Sequence, residues 1–159
     1  MSVRTLGHLS DLHIGESEEQ DEAAGALCEA LMRSGIHQVV VTGNLTASGS
    51  FREMLRFEQL FAPMLSSGRM TLIPGPRDRL GDDAGSCLMR NKRLAVVRKA
   101  NLHIVRVDTA SLTEHPDSSG ATELLTELAV ALEGASPTAF RVLEIGRASC
   151  RERVFLRVL

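Results

Sequence analysis

Apolar and polar positions fall into blocks along the first half of the chain, and the period changes from block to block. Residues 3–9 form a short apolar run broken only by small or polar residues, the pattern of a buried strand. After Ser17 the apolar positions Ala24, Leu27, Cys28 and Leu31 recur at helical spacing. Ser17-Glu18-Glu19-Gln20 has the form of a capping box, acidic residues fill the first turn, and Gly35 stands where a helix C-cap is expected. Residues 38–42 are continuous and β-branched, as in a strand covered on both faces of a parallel sheet. A second capping box, Ser50-Phe51-Arg52-Glu53, opens a helix with the apolar stripe Met54, Phe57, Phe61 and Met64. Pro63 is expected to disturb its last turn. Residues 70–74 read as a third strand.

Strand, helix, strand, helix, strand predicts right-handed crossovers and a parallel sheet. Residues 80–85 read as a loop, 94–97 and 102–107 as two further strands, and 108–119 as a polar loop. Residues 121–132 read as a helix with Leu124, Leu125, Leu128 and Leu132 turned inward, and a last strand begins at 138. The chain has no internal repeat.

Composition narrows the class. A length of 159 residues fits one domain with room for a sizeable core. Aromatics make up 3% with no Trp or Tyr, which argues against base-stacking platforms for single-stranded nucleic acid. A net charge of −2 offers no basic field for DNA or a membrane surface. Cys28, Cys87 and Cys150 are odd in number and lack C-x-x-C spacing, so they read as reduced thiols. No leader-type apolar segment opens the chain and no apolar run approaches the ~20 residues of a membrane span. The expectation is a soluble, cytoplasmic protein.

Residues 144–159 change character. They carry four Arg and two Glu in an otherwise acidic chain. The peptide from Glu144 to Val154 resembles the in-frame reading of a sequencing adapter; the alternative is a genuine basic segment closing the domain. The first reading gives a domain over 1–143, incomplete, followed by an artefactual tail over 144–159.

The polar cluster after the first strand carries the first chemical signal. Asp11 and His13 lie two apart, so in extended backbone both side chains leave one face. A carboxylate oxygen and an imidazole nitrogen together begin a site for Zn, Mn or Fe; equally, the pair is a polar strand end with an incidental His. The next two strands end in Asn44 and in Arg77-Asp78. Ligands of open parallel sheets bind beyond the carboxyl ends of the strands, so three polar strand ends would converge on one crevice.

Three stretches, His8-Leu9-Ser10-Asp11-Leu12-His13-Ile14-Gly15, Val39-Val40-Val41-Thr42-Gly43-Asn44-Leu45-Thr46 and Leu72-Ile73-Pro74-Gly75-Pro76-Arg77-Asp78, resemble the motifs of the calcineurin-like metallophosphoesterases, nearest the branch of cyclic-nucleotide phosphodiesterases. The resemblance covers residues 1 to about 143. It implies an α/β fold, a truncated four-layer α/β/β/α sandwich with a parallel β-α-β-α-β start. It also implies a phosphoester or nucleotide-like small-molecule substrate, hydrolysed with the help of two divalent metals that activate a bridging hydroxide.

By that likeness Asp11 and His13 correspond to ligands of the first metal, and Asn44 stands where the family carries an Asp bridging both metals. Pro76 stands at the position of an Asn that binds the second metal, Arg77 at that of a His that contacts the phosphate, and Asp78 at an acid behind the ligands. An amide cannot bridge two cations as a carboxylate does, Pro76 brings no ligand, and Arg77 is a fixed cation. The family's later His motifs have no counterpart: His37, His103 and His115 fit neither, and His37 and His103 read as surface or strand-edge residues. Two functions follow from the resemblance. One is a metal-dependent phosphoesterase (Mn, Fe or Zn; one ion or none) with activity lost or impaired. The other is an inactive binding or scaffold module in which Arg77 replaces a metal by pairing with Asp11 or Asp78.

Overall fold

A computed structural model describes residues 5–90, 92–99, 101–109 and 118–146. His115, Cys150 and the tail from 147 onward lie outside the described residues, as do the first residues of the expected opening strand.

Three strands, β1 (Leu6–Leu9), β2 (Gln38–Val41) and β3 (Met70–Leu72), make a parallel sheet in sequential order β1-β2-β3. The helix between β1 and β2 is α1 (Glu18–Arg33). Ser17 Oγ accepts from the Gln20 amide at 3.1 Å, as expected of a cap. The Gln20 side chain does not close the box; it donates to Leu12 O at 3.0 Å and ties the helix start to the first strand-end loop. Gly35 follows the C-cap Ser34 with φ 70°.

The helix opened by Ser50 is broken in two, α2 (Phe51–Leu60) and α3 (Ala62–Ser66). The break falls at Phe61 because Pro63 can sit only in the first turn of a new helix, where its missing N–H costs nothing. Phe57 and Phe61 stack with ring centroids 5.0 Å apart and hold the two pieces to one core.

A second sheet contains β4 (Leu94–Lys99), β5 (Leu102–Val107) and β6 (Phe140–Ile145), with β4 antiparallel and β6 parallel to β5. The remaining helix is α4 (Ser118–Glu133). Alternation along the strands sets the layers. Val39 and Val41 face α1–α3, together with Phe57, Phe61 and Met64. Val40 faces the other way and meets Leu102, Ile104 and Val142 of the second sheet. Val105 and Val107 point outward and are covered by Leu124 and Leu128 of α4. The order of layers is therefore α/β/β/α.

Four further details differ from the sequence reading. Residues 80–85 are not simply loop: short 3-10 turns span Arg77–Arg79 and Ala84–Met89, the second bracketed by left-handed Asp83 and Arg90. Leu125 is 65% exposed, because the face of α4 that reaches the sheet is Leu124, Leu128, Ala131 and Leu132. His103 is buried rather than peripheral; it shares the outward parity of Val105, and its Nε2 meets Ala131 O at 2.8 Å, tying β5 to α4. Finally, β6 runs past Leu143 through Ile145.

Candidate functional site

Beyond the carboxyl ends of β1 and β2 the two chains stay in register as loops. The amides of Asp11, His13 and Ile14 donate to the carbonyls of Gly43, Asn44 and Leu45 at 3.1, 3.0 and 2.8 Å. Asp11, His13 and Asn44 all take left-handed backbone, with φ of 57°, 48° and 54°. Such residues are uncommon outside glycine and cluster where a fold over-determines its backbone.

The loop after β3 presses against the second loop. A methyl group placed on Gly43 would lie 2.6 Å from the Gly75 backbone, and one on Gly75 would lie 2.4 Å from the Asn44 amide. Only two glycines permit that approach.

Side chains then join all three loops. Asn44 Nδ2 donates to Asp11 Oδ1 at 2.8 Å, and Asn44 Oδ1 accepts from the Arg77 backbone amide at 3.1 Å. Because a backbone N–H can only donate, the orientation of this amide is fixed. Ser10 Oγ donates to Asp11 Oδ2 at 2.8 Å, and His13 Nε2 stands 3.7 Å from Asp11 Oδ1. Asp11 and His13 thus lie side by side, though not through the extended backbone expected from the sequence: both residues are left-handed, and the turn of the loop rather than strand alternation brings the side chains together, with Asn44 bonded to Asp11.

Asp78 is fully buried and acts as a clamp. Its two oxygens accept from the amides of Leu45, Thr46 and Gly75 and from the Thr46 hydroxyl. That leaves it no capacity for Arg77. The Arg77 guanidinium lies on the exposed rim and donates to Ala47 O at 3.3 Å; of the two pairings expected for it, with Asp11 or Asp78, the one with Asp78 does not form. Pro76 occupies the residue before the 3-10 turn, with φ −58°.

Five contributors escaped the sequence reading. Thr46 is buried against Asp78. Arg79 pairs with Asp108, the residue just past β5, and with Asp83 at 3.3 Å, fastening the third loop to the second sheet. Asp108 ends a strand as Asn44 does, and that position was its only sequence signal. The Thr109 hydroxyl bonds Gly146 O, and Gly146 itself packs against Pro74 O, which brings the end of β6 to the same crevice.

The donor set fits a metal centre poorly. No group of three His, Cys, Asp or Glu side chains among the described residues is placed to hold an ion. Asn44 turns its N–H, not its oxygen, toward Asp11. His13 Nδ1 is buried without a hydrogen-bond partner, whereas a ligating His ordinarily donates that proton to an oriented acceptor.

No protein-family model and no curated protein matches the chain. Solved structures similar to it include a dimetal phosphatase from Danio rerio, at 13% identity and a TM-score of 0.44, with 66% of this chain and 44% of that one covered. Vps29 from Chaetomium thermophilum is similar at 16% identity and a TM-score of 0.41, covering 81% of this chain and 59% of that one. A conserved protein of Streptococcus pneumoniae TIGR4, described as a predicted phosphoesterase, is similar at 10% identity and 0.41, covering 80% and 59%. The chain spans between 44% and 59% of the length of these three proteins. No helix among the described residues is long and apolar enough to cross a membrane.

Proposed function

We propose that the chain is part of a calcineurin-like metallophosphoesterase domain whose crevice receives a phosphoester, or a nucleotide-like small molecule, without metal-dependent hydrolysis. One observation carries this reading: Asn44 joins Asp11 to the third loop through its amide, at the point where the resembled family needs a carboxylate between two cations. A site so wired lacks the means to generate a metal-bound nucleophile. The exposed guanidinium of Arg77 at the rim supplies a fixed positive charge suited to a phosphate oxygen. In this reading Asp11 and His13 remain as polar walls, and Asp78 positions the loops.

The test is a hydrolysis assay of the full chain with an aryl phosphodiester and Mn, Fe or Zn. Release of the phenol no faster than with metal alone is expected. Protein-dependent, metal-stimulated release would establish the competing reading, an active enzyme with metal on Asp11, His13 and Asn44. Ligand binding is checked separately: a nucleoside monophosphate is expected to raise the thermal midpoint of the wild type and not that of Arg77→Ala. No rise in the wild type would remove the phosphoester from the proposal.

A further inference from the structure

The misfit between this donor set and a cation has a positive counterpart in the backbone. Pro76 fixes φ at −58° and starts the 3-10 turn over Arg77–Arg79. The first amides of such a turn have no partner within it, and the Arg77 N–H is one of them. Asn44 Oδ1 accepts that proton at 3.1 Å while Asn44 Nδ2 donates to Asp11 at 2.8 Å. Asn44 is only 7% exposed, so both bonds form where water competes little. An ionised aspartate at this position could accept from Arg77 but could not donate to Asp11, and would set two carboxylates against each other.

We propose that Asn44, with Pro76 presenting the Arg77 amide, is a metal-free pin that holds the three strand-end loops together, and that Asn44→Asp alone would turn the crevice into a cation-dependent site. The inference deepens the functional reading above, yet its pin stands on geometry alone. The two departures at positions 44 and 76 then act as a pair: one supplies an orphan donor and the other accepts it. Asn44 is a positioning residue.

Thermal melting of the full chain, in chelator and with added Mn or Zn, tests this. The wild-type midpoint is expected to be the same in all three conditions. Asn44→Ala removes the pin without adding charge, Asn44→Gly does so without left-handed strain, and both are expected to lower the midpoint by roughly 3–8 °C whatever the metal; a drop in Asn44→Ala alone would be strain and overturns the pin. Asn44→Asp is expected to melt lower still in chelator and to recover with Mn or Zn, the cation relieving the repulsion from Asp11. A wild-type midpoint raised by either metal overturns the proposal, as does an Asn44→Ala variant as stable as wild type. An Asn44→Asp variant indifferent to metal overturns the cation-dependent half. If Asn44→Asp is folded only when purified with Zn, that is the expected recovery in another form; failure with Zn as well counts against it. None of these readouts depends on ligand binding or turnover, so the phosphoester reading can fail while the pin stands.

Discussion

Asp78 Oδ1 accepts both the amide and the hydroxyl of Thr46, at 2.8 and 2.7 Å, from a position with no solvent exposure. Its other oxygen takes the amides of Leu45 and Gly75 at 3.2 and 2.8 Å. One carboxylate thus satisfies donors from the second and third loops. Asp78→Ala strands those buried N–H groups and is expected to cost roughly 3–5 kcal/mol in urea unfolding. Thr46→Val loses one of the four bonds to Asp78, together with the bond its hydroxyl accepts from the Gly49 amide at 3.2 Å, and is expected to cost about 1–3 kcal/mol. Equal losses from the two variants would mean that Asp78 is not the clamp.

Backbone contact between the loops makes a second prediction. Gly43→Ala would bring a methyl 2.6 Å from the Gly75 backbone, at φ 100°. Gly35→Ala is the control: its φ is 70°, but nothing lies within 4 Å of the added methyl. The control is expected to lose only the ~1 kcal/mol of left-handed strain, and Gly43→Ala considerably more. Matching denaturation midpoints would show that strain alone, not loop contact, selects glycine at position 43.

Glu144 supplies a pH dependence. It points into the layer between the sheets, beside Val142, and is fully buried. Burial pushes its pKa up to about 7, although Arg106, Thr71 and the backbone of Val41 pull the other way. Arg106 stands 3.8 Å from it, and neither carboxylate oxygen closes a hydrogen bond of good geometry. The folded-state pKa exceeds the unfolded 4.5, so the protonated form is the one the fold favours. Stability from this group is full below pH 4.5 and is lost as the pH rises to about 7, on the order of 3 kcal/mol in all. Glu144→Gln is expected to flatten that slope in urea titrations across the same window; an unchanged slope would assign it to other groups.

The Arg106–Glu144 pair is also expected to be dispensable. Replacing both together, Arg106→Met with Glu144→Leu, should leave stability unchanged or raise it by about 1–4 kcal/mol at pH 8. Marked destabilisation would instead make the ion pair a selected part of the core.

Local chemistry made much of the framework legible. Ser17 and Ser50 marked helix starts, Pro63 the break after α2, and the β-branched run at 38–41 a strand buried on both faces. Asp11, His13, Asn44 and Asp78 could be placed together because each ends or follows a parallel strand. Facts that depend on which layer covers which were hidden. Leu125 belongs to the helical pattern yet faces water, and His103 lies under α4, since phase and parity gain meaning only once the partners are packed. The direction of the Asn44 amide was hidden too, being set by a backbone N–H 33 residues away.

The left-handed backbone at Asp11, His13 and Asn44 also narrows what can ever occupy those places. Asn, Asp and His are the non-glycine residues that enter this conformation most readily. Bulky or β-branched newcomers are filtered out before their chemistry is tried. Position 44 is thereby open chiefly to Asn, Asp, His or Gly, and a change from Asn to Asp there adds one formal charge over an unchanged chain trace. A change of charge where the three loops meet is, on such a backbone, a single substitution away.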